Sequence, residues 1–172
     1  IMKDTLISRR EFLKDIGMIG AGVLLSASPW LSAFSEVVET SGEKCRLAII
    51  GPGSRGRFLM SFLVQNPKVE IVALCDIYQP SIEKALELAP KAKVYDDYRE
   101  ILEDKTVDAV LVATPLNSHC QIVLDAFDAG KHVFCEKSIG FTMEECFRIY
   151  NKHISTEKVF FTGQQRLFDP RY

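Results

Sequence analysis

Residues 45–76 carry a spacing that few folds can satisfy. Cys45–Ile50 (CRLAII) is a short apolar run, and Gly51-Pro52-Gly53-Ser54-Arg55-Gly56 follows it directly. Beyond the glycines, Phe58, Leu59, Phe62 and Leu63 recur at helical spacing until Asn66-Pro67 breaks the pattern. A second apolar run, Val69–Cys75 (VEIVALC), ends at Asp76, twenty residues past Gly56. G-x-G-x-x-G alone is a weak signal. Between a strand and a helix, with an acidic residue closing the next strand, it is the fingerprint of a dinucleotide-binding βαβ unit. Gly51 allows the tight turn, Gly53 lets the backbone approach a pyrophosphate, and Gly56 lets helix and strand pack closely. Ser54 and Arg55 open the helix, whose free N–H groups and positive dipole end suit phosphate. The Asp76 carboxylate can accept hydrogen bonds from the adenosine ribose hydroxyls. It would also repel a 2′-phosphate, and Ile77 beside it has no charge, so NAD is expected over NADP. Arg55 and Arg57 can pair with a phosphate and keep NADP open.

The rest of the chain repeats the alternation. The expected elements are a helix at 80–88 with Ile82, Ala85, Leu86 and Ala89 on one face, a strand Lys93–Tyr95, and a short helix from Tyr98. A strand at 107–113 and a helix at 118–129, closed by Gly130, come next. A strand at 132–135 leads to a helix opened by a Thr142/Glu145 capping box and running to about 153, then to a strand at 159–162. Strands alternating with helices predict an α/β fold, a doubly wound parallel sheet covered on both faces. The dinucleotide domain is expected at 44–163, with 164–172 an exit linker towards a second domain, which makes the sequence read as a fragment of a longer protein.

With 47% hydrophobic and 26% charged residues, the composition fits one well-buried soluble domain and excludes a disordered, collagenous or multispanning chain. The net charge of -2 gives no basic excess, so no nucleic-acid partner is expected. The five cysteines are odd in number and form no C-x-x-C pair, which argues against a zinc site or a redox dithiol. No metal is expected, and most of the cysteines read as small buried hydrophobes. Residues 1–35 follow the order of a secretory signal: Arg9-Arg10 with Phe12-Leu13-Lys14, an apolar stretch at 16–25, then small residues. The Arg pair resembles a bacterial twin-arginine signal and implies export to the periplasm through that machinery, with a retained membrane anchor as an alternative. Residues 36–43 are then a linker.

Three further segments carry a resemblance. Val112-Ala113-Thr114-Pro115-Leu116-Asn117-Ser118-His119 ends the fourth strand, Gly130-Lys131-His132-Val133-Phe134-Cys135-Glu136-Lys137 spans the fifth, and Gly163-Gln164-Gln165-Arg166 leaves the sixth. With the glycine loop, these resemble the N-terminal Rossmann half of the Gfo/Idh/MocA oxidoreductases. The resemblance implies a nicotinamide cofactor, a sugar or polyol substrate, a homo-oligomer in the full-length protein and a second α/β domain supplying the main acid–base residue. Glu136-Lys137-Ser138 falls on the family's Glu-Lys-Pro motif, which gives Lys137 a catalytic role at the reacting hydroxyl and puts Glu136 beside the cofactor. Ser138 departs from the family's Pro, so the pitch of Lys137 is not fixed by a ring. Thr114, Pro115 and Asn117 fall where the family lines the dinucleotide. His119 is either a cofactor-site group or a satisfied histidine at a helix start, and Arg166 either a cleft residue or a plain linker. The activity implied is hydride transfer at a sugar, glycoside or polyol hydroxyl carbon with a tightly held, recycled cofactor. Retention of Lys137 favours that over the family's redox-neutral glycosidases, which remain the alternative, as does an inactive NAD-binding module.

Overall fold

The computed structural model describes residues 44–164. The expected export signal, the linker at 36–43 and Arg166 lie outside them. Six strands form one parallel sheet in the order β3-β2-β1-β4-β5-β6. They are β1 (Cys45–Ile50), β2 (Val69–Cys75), β3 (Lys93–Tyr95), β4 (Ala109–Val112), β5 (His132–Glu136) and β6 (Phe160–Gly163). The helices are α1 (Ser54–Leu63), α2 (Gln79–Leu86), α3 (Tyr98–Glu103), α4 (His119–Asp128) and α5 (Met143–Ile154), with a short 3₁₀ turn at Leu116–Ser118.

Alternation along β1 explains the two-sided core. Leu47 and Ile49 face one side with Leu59, Met60 and Leu63 of α1 and Ile82 and Ala85 of α2. Ala48 and Ile50 face the other with Ile101 of α3, Val123 and Phe127 of α4 and Ile149 of α5. A strand buried on both faces must be apolar throughout, which is why β1 and β4 contain no alternating polar residues beyond the edge position Arg46. On α1 the expected apolar face is rotated: Leu59 and Leu63 are buried with Gly56 and Met60, while Phe58 and Phe62 are exposed and meet edge to face. The helix begins at Ser54, with Gly53 as its N-cap. The fourth strand is shorter than expected, at Ala109–Val112; just before it the Asp108 carboxylate accepts from Arg46 Nε, Nη2 and the backbone N–H. At α5 the capping box is present in both directions, Thr142 Oγ1 accepting from the Glu145 N–H and the Glu145 carboxylate from the Thr142 N–H.

Cys45, Cys75, Cys120 and Cys135 are buried free thiols and Cys146 is half-buried. Burial pushes the Cys45 and Cys75 thiols up to about 11, so both stay protonated at neutral pH. Among the described residues no helix is long and apolar enough to cross a membrane.

Candidate functional site

The strand order reverses between β1 and β4: from β1 the chain builds outward through β2 to β3, then crosses back to place β4 on β1's other side and builds outward through β5 to β6. At such a switch point the loops leaving the two strands diverge to opposite faces and open a crevice at the carboxyl end of the sheet. Here the two loops touch backbone to backbone. Gly51 has φ +86, and a Cβ on it would lie 2.8 Å from the Ala113 carbonyl carbon and the Thr114 nitrogen. A Cβ on Gly56 would lie 2.5 Å from the Gly51 oxygen, so α1 can approach β1 only with glycine there. The Gly51 N–H also donates to the Cys75 carbonyl at 2.8 Å, tying the loop to the end of β2.

Gly53 is different. Nothing lies within 4 Å of where its Cβ would stand, so the loop leaves open space there. The N-terminus of α1 has no side-chain cap and no acidic residue in its first turn, whereas α3 is capped by Asp97 and α5 by Thr142. Uncapped N–H groups next to a cleared backbone form a cradle that fits a pyrophosphate. Asp76 stands at the end of β2, with Oδ1 accepting from the Tyr78 N–H at 2.9 Å. On these grounds Gly51, Gly53, Ser54 and Gly56 would hold the phosphates and Asp76 the ribose of a dinucleotide.

The structure brings the remaining expected site residues among those described to the same end of the sheet; Arg166 lies outside the described residues. Thr114 follows β4, and the Ser118 hydroxyl lies 2.8 Å from Thr114 Oγ1. Pro115 and Asn117 are exposed on the 3₁₀ turn. Lys137 is exposed just past β5. Four residues prove to be engaged with the protein itself. Arg55 Nε donates to Glu136 Oε1 at 2.7 Å, and Glu136 is only 5% exposed. His119 is 2% exposed, with Nδ1 2.7 Å from the Ser138 carbonyl oxygen and Nε2 2.9 Å from that of Thr114. Arg57 Nη1 donates to the Pro52 carbonyl at 2.8 Å. Reading along the chain missed these pairings, since Arg55 and Glu136 are 81 residues apart and no local pattern links them. It also missed Gly163, whose missing side chain leaves room for the Glu136 carboxyl group.

A parallel sheet in this order, with a glycine-cleared phosphate cradle at its switch point and an acid at the end of β2, defines a dinucleotide-binding Rossmann domain. Residues 45–164 match the family described as "Oxidoreductase family, NAD-binding Rossmann fold" (GFO_IDH_MocA). The chain belongs to this Gfo/Idh/MocA family. It is 34% identical over 162 residues to a protein named glycosyl hydrolase family 109 protein from Stenotrophomonas maltophilia, covering 87% of this chain and 34% of that one. It is 31% identical over 174 residues to one named alpha-N-acetylgalactosaminidase from Shewanella oneidensis, covering 88% and 38%. Among solved structures, myo-inositol dehydrogenase from Lactobacillus casei, in complex with NAD(H) and myo-inositol, superposes with a TM-score of 0.70 at 33% identity, covering 74% of this chain and 38% of that one. The chain thus spans little more than a third of the length of these relatives.

Proposed function

We propose that the full-length protein is an NAD-dependent glycosidase, cleaving an N-acetylhexosaminide or related glycoside by a redox-neutral route. The observation that carries this is the match to the two curated relatives above, which extends over 87% and 88% of the chain. When bound, the nicotinamide supplies a hydride acceptor that later returns the hydride. Oxidising a sugar hydroxyl carbon to a ketone acidifies the neighbouring C–H. The glycosidic oxygen can then leave by elimination, water adds, and reduction restores the hydroxyl. The net reaction is hydrolysis and needs no external oxidant.

This chain's residues contribute in distinct ways. The Gly51–Gly56 loop and Asp76 hold the dinucleotide, and the backbone of Thr114, Pro115 and Asn117 lines it. Lys137, at the carboxyl end of β5, directs its amine to the reacting hydroxyl and helps move its proton. The main acid–base residue is supplied by the part of the full-length protein that its relatives have beyond this stretch. NAD is preferred over NADP, because Asp76 would repel a 2′-phosphate and the two arginines beside the glycine loop, Arg55 and Arg57, are already bonded to Glu136 and the Pro52 carbonyl. A cofactor recycled in place also suits an exported enzyme, which meets no free nicotinamide pool, and the Arg9-Arg10 segment supports export. The oligomeric form is a homo-oligomer.

A second reading, an ordinary sugar or polyol dehydrogenase, is favoured by the retained Lys137 and by the likeness to myo-inositol dehydrogenase. One experiment separates the two. The full-length protein is given p-nitrophenyl α-N-acetylgalactosaminide with NAD⁺, and separately myo-inositol with NAD⁺. Phenolate release without accumulating NADH is expected. NADH formed in step with substrate, and no phenolate, would establish the dehydrogenase instead. Mass spectrometry of nucleotide released from natively purified protein is expected to find NAD(H).

A further inference from the structure

We infer that Arg55, Glu136 and His119 act through Lys137 as positioning residues, gripping its backbone from both sides, instead of contacting the cofactor or the substrate. This rests on the assignment of Lys137 to the reacting hydroxyl.

The first grip is ionic. The Glu136 side chain is 7% exposed, and its two oxygens have separate tasks: Oε1 accepts from Arg55 Nε at 2.7 Å, and Oε2 from the Lys137 N–H at 3.2 Å. A buried carboxylate without Arg55 would be an uncompensated charge, so the pair has to stay together. Its space is reserved by a third segment. A Cβ on Gly163 would fall 2.9 Å from Glu136 Cδ and Oε1, and so would collide with the carboxylate. The start of α1, the end of β5 and the end of β6 thus converge on one carboxyl group.

The second grip is His119, the first residue of α4, buried between the Thr114 and Ser138 carbonyls. With a proton on Nδ1 the ring donates to the Ser138 carbonyl and ties the loop leaving β5 to the start of α4; donating to the Thr114 carbonyl as well takes a second proton, on Nε2. Lys137 therefore sits between two tethers: its own N–H on Glu136, and the carbonyl of the next residue on His119. Where the family has Pro at 138, this chain has Ser, and the imidazole contact supplies restraint that a ring would otherwise give. No hydrogen bond or ion pair among the described residues uses Lys137 Nζ, so with the backbone held the amine is left free for a ligand. Arg55 stands at the start of α1, next to the glycine loop, so the grip links that helix to the lysine across the site.

The full-length protein is tested as Arg55→Lys, Arg55→Met, Glu136→Gln and His119→Asn. Three quantities are measured: NAD⁺ affinity by fluorescence, kcat and KM with whichever substrate turns over, and the NMR signal of ¹³C-dimethylated Lys137, assigned with Lys137→Arg. Arg55→Met, Glu136→Gln and His119→Asn are expected to lower kcat by about 10- to 100-fold, the range a misplaced catalytic group produces, while NAD⁺ affinity changes less than about threefold. The Lys137 signal should shift or sharpen in each, and Arg55→Lys, which keeps the charge, should recover most of kcat. A loss of NAD⁺ affinity exceeding the loss of kcat would show direct cofactor contact and overturn the inference. An unchanged Lys137 signal in Glu136→Gln and His119→Asn would overturn it too. If no substrate turns over, the proposed function fails, and the Lys137 signal and NAD⁺ affinity still decide whether the grips exist. Glu136→Gln and Arg55→Lys preserve side-chain volume and keep the measurement possible should Arg55→Met not fold.

Discussion

Lys131 and Lys137 stand on either side of β5, one before its amino end and one after its carboxyl end. Lys131 is 7% exposed, and its Nζ donates to the carbonyls of Asp104 at 2.7 Å and Val107 at 2.8 Å. Burial lowers its pKa against the opposing pull of Asp104 and Asp108. Lys137 is exposed and keeps its amine unengaged among the described residues. The same side chain is a structural clamp at one end of the strand and, in the function proposed above, a reactive group at the other. All six strands run in parallel, so the carboxyl ends gather the loops that bind ligands and the amino ends gather the turns that hold the domain together. In this fold a residue's end of the strand tells more about its work than its chemical type does.

That contrast can be broken at several points. The largest effect is expected for Lys137→Met, which should lower turnover by about 100-fold or more, in the range of lost proton-transfer assistance, with the melting temperature unchanged. A melting temperature that fell instead would make the two lysines alike. Next are the glycines of the same end. Gly51→Ala should destabilise by about 1–3 kcal/mol in chemical denaturation, because φ +86 and a 2.8 Å backbone overlap both oppose a side chain. Gly53→Ala, with open space around it, should leave stability intact and weaken NAD⁺ binding in a titration.

Lys131→Met should cost about 1–3 kcal/mol, since two buried carbonyls lose their donor, and should leave activity per folded molecule unaltered. Thermal melts with specific activity measured on the soluble fraction check both halves of that statement. The smallest effect is a pH dependence at the same end. Hydrogen bonds from the Tyr95 hydroxyl, the Thr106 hydroxyl and the Thr106 N–H hold the Asp104 carboxyl down to about 2, from 3.8 when free. Between those values the unfolded chain binds more protons, so this contribution is full above 3.8 and is lost as pH falls towards 2. Asp104→Asn should flatten that part of the acid unfolding profile.

How much of this is visible along the chain follows the range of the interactions. The six strands and the helix order depend on local apolar periodicity, and all appear close to their expected places. The Thr142/Glu145 box is a three-residue signal and is present as expected. The orientation of α1 was not legible. Phe58 and Leu59 are equally apolar, and only the close seating of Gly56 on Gly51 decides which of them turns inward. The glycine loop and Asp76 are legible because a phosphate cradle is built from backbone and its spacing is rigid. The partners of Arg55 and His119 are set by which loops the sheet order brings together, so a motif can place these residues at the site without saying what they hold. His119 left two readings open from sequence. Burial and two carbonyl neighbours resolve its surroundings, and its effect on Lys137 is open to the experiment above.

The short turn at Asp76 has a consequence for affinity. With Oδ1 accepting from the Tyr78 N–H, the carboxylate has already given up part of its rotational freedom during folding. If Asp76 holds the ribose as proposed, the ribose would meet an acceptor with its direction largely set, and part of the ordering entropy that an unrestrained side chain would lose on association, about 0.5–1.5 kcal/mol, would not be subtracted from the binding free energy. Holding a cofactor for many turnovers depends on a slow release rate, and an acceptor that is still before its ligand arrives slows that release without adding a single new contact.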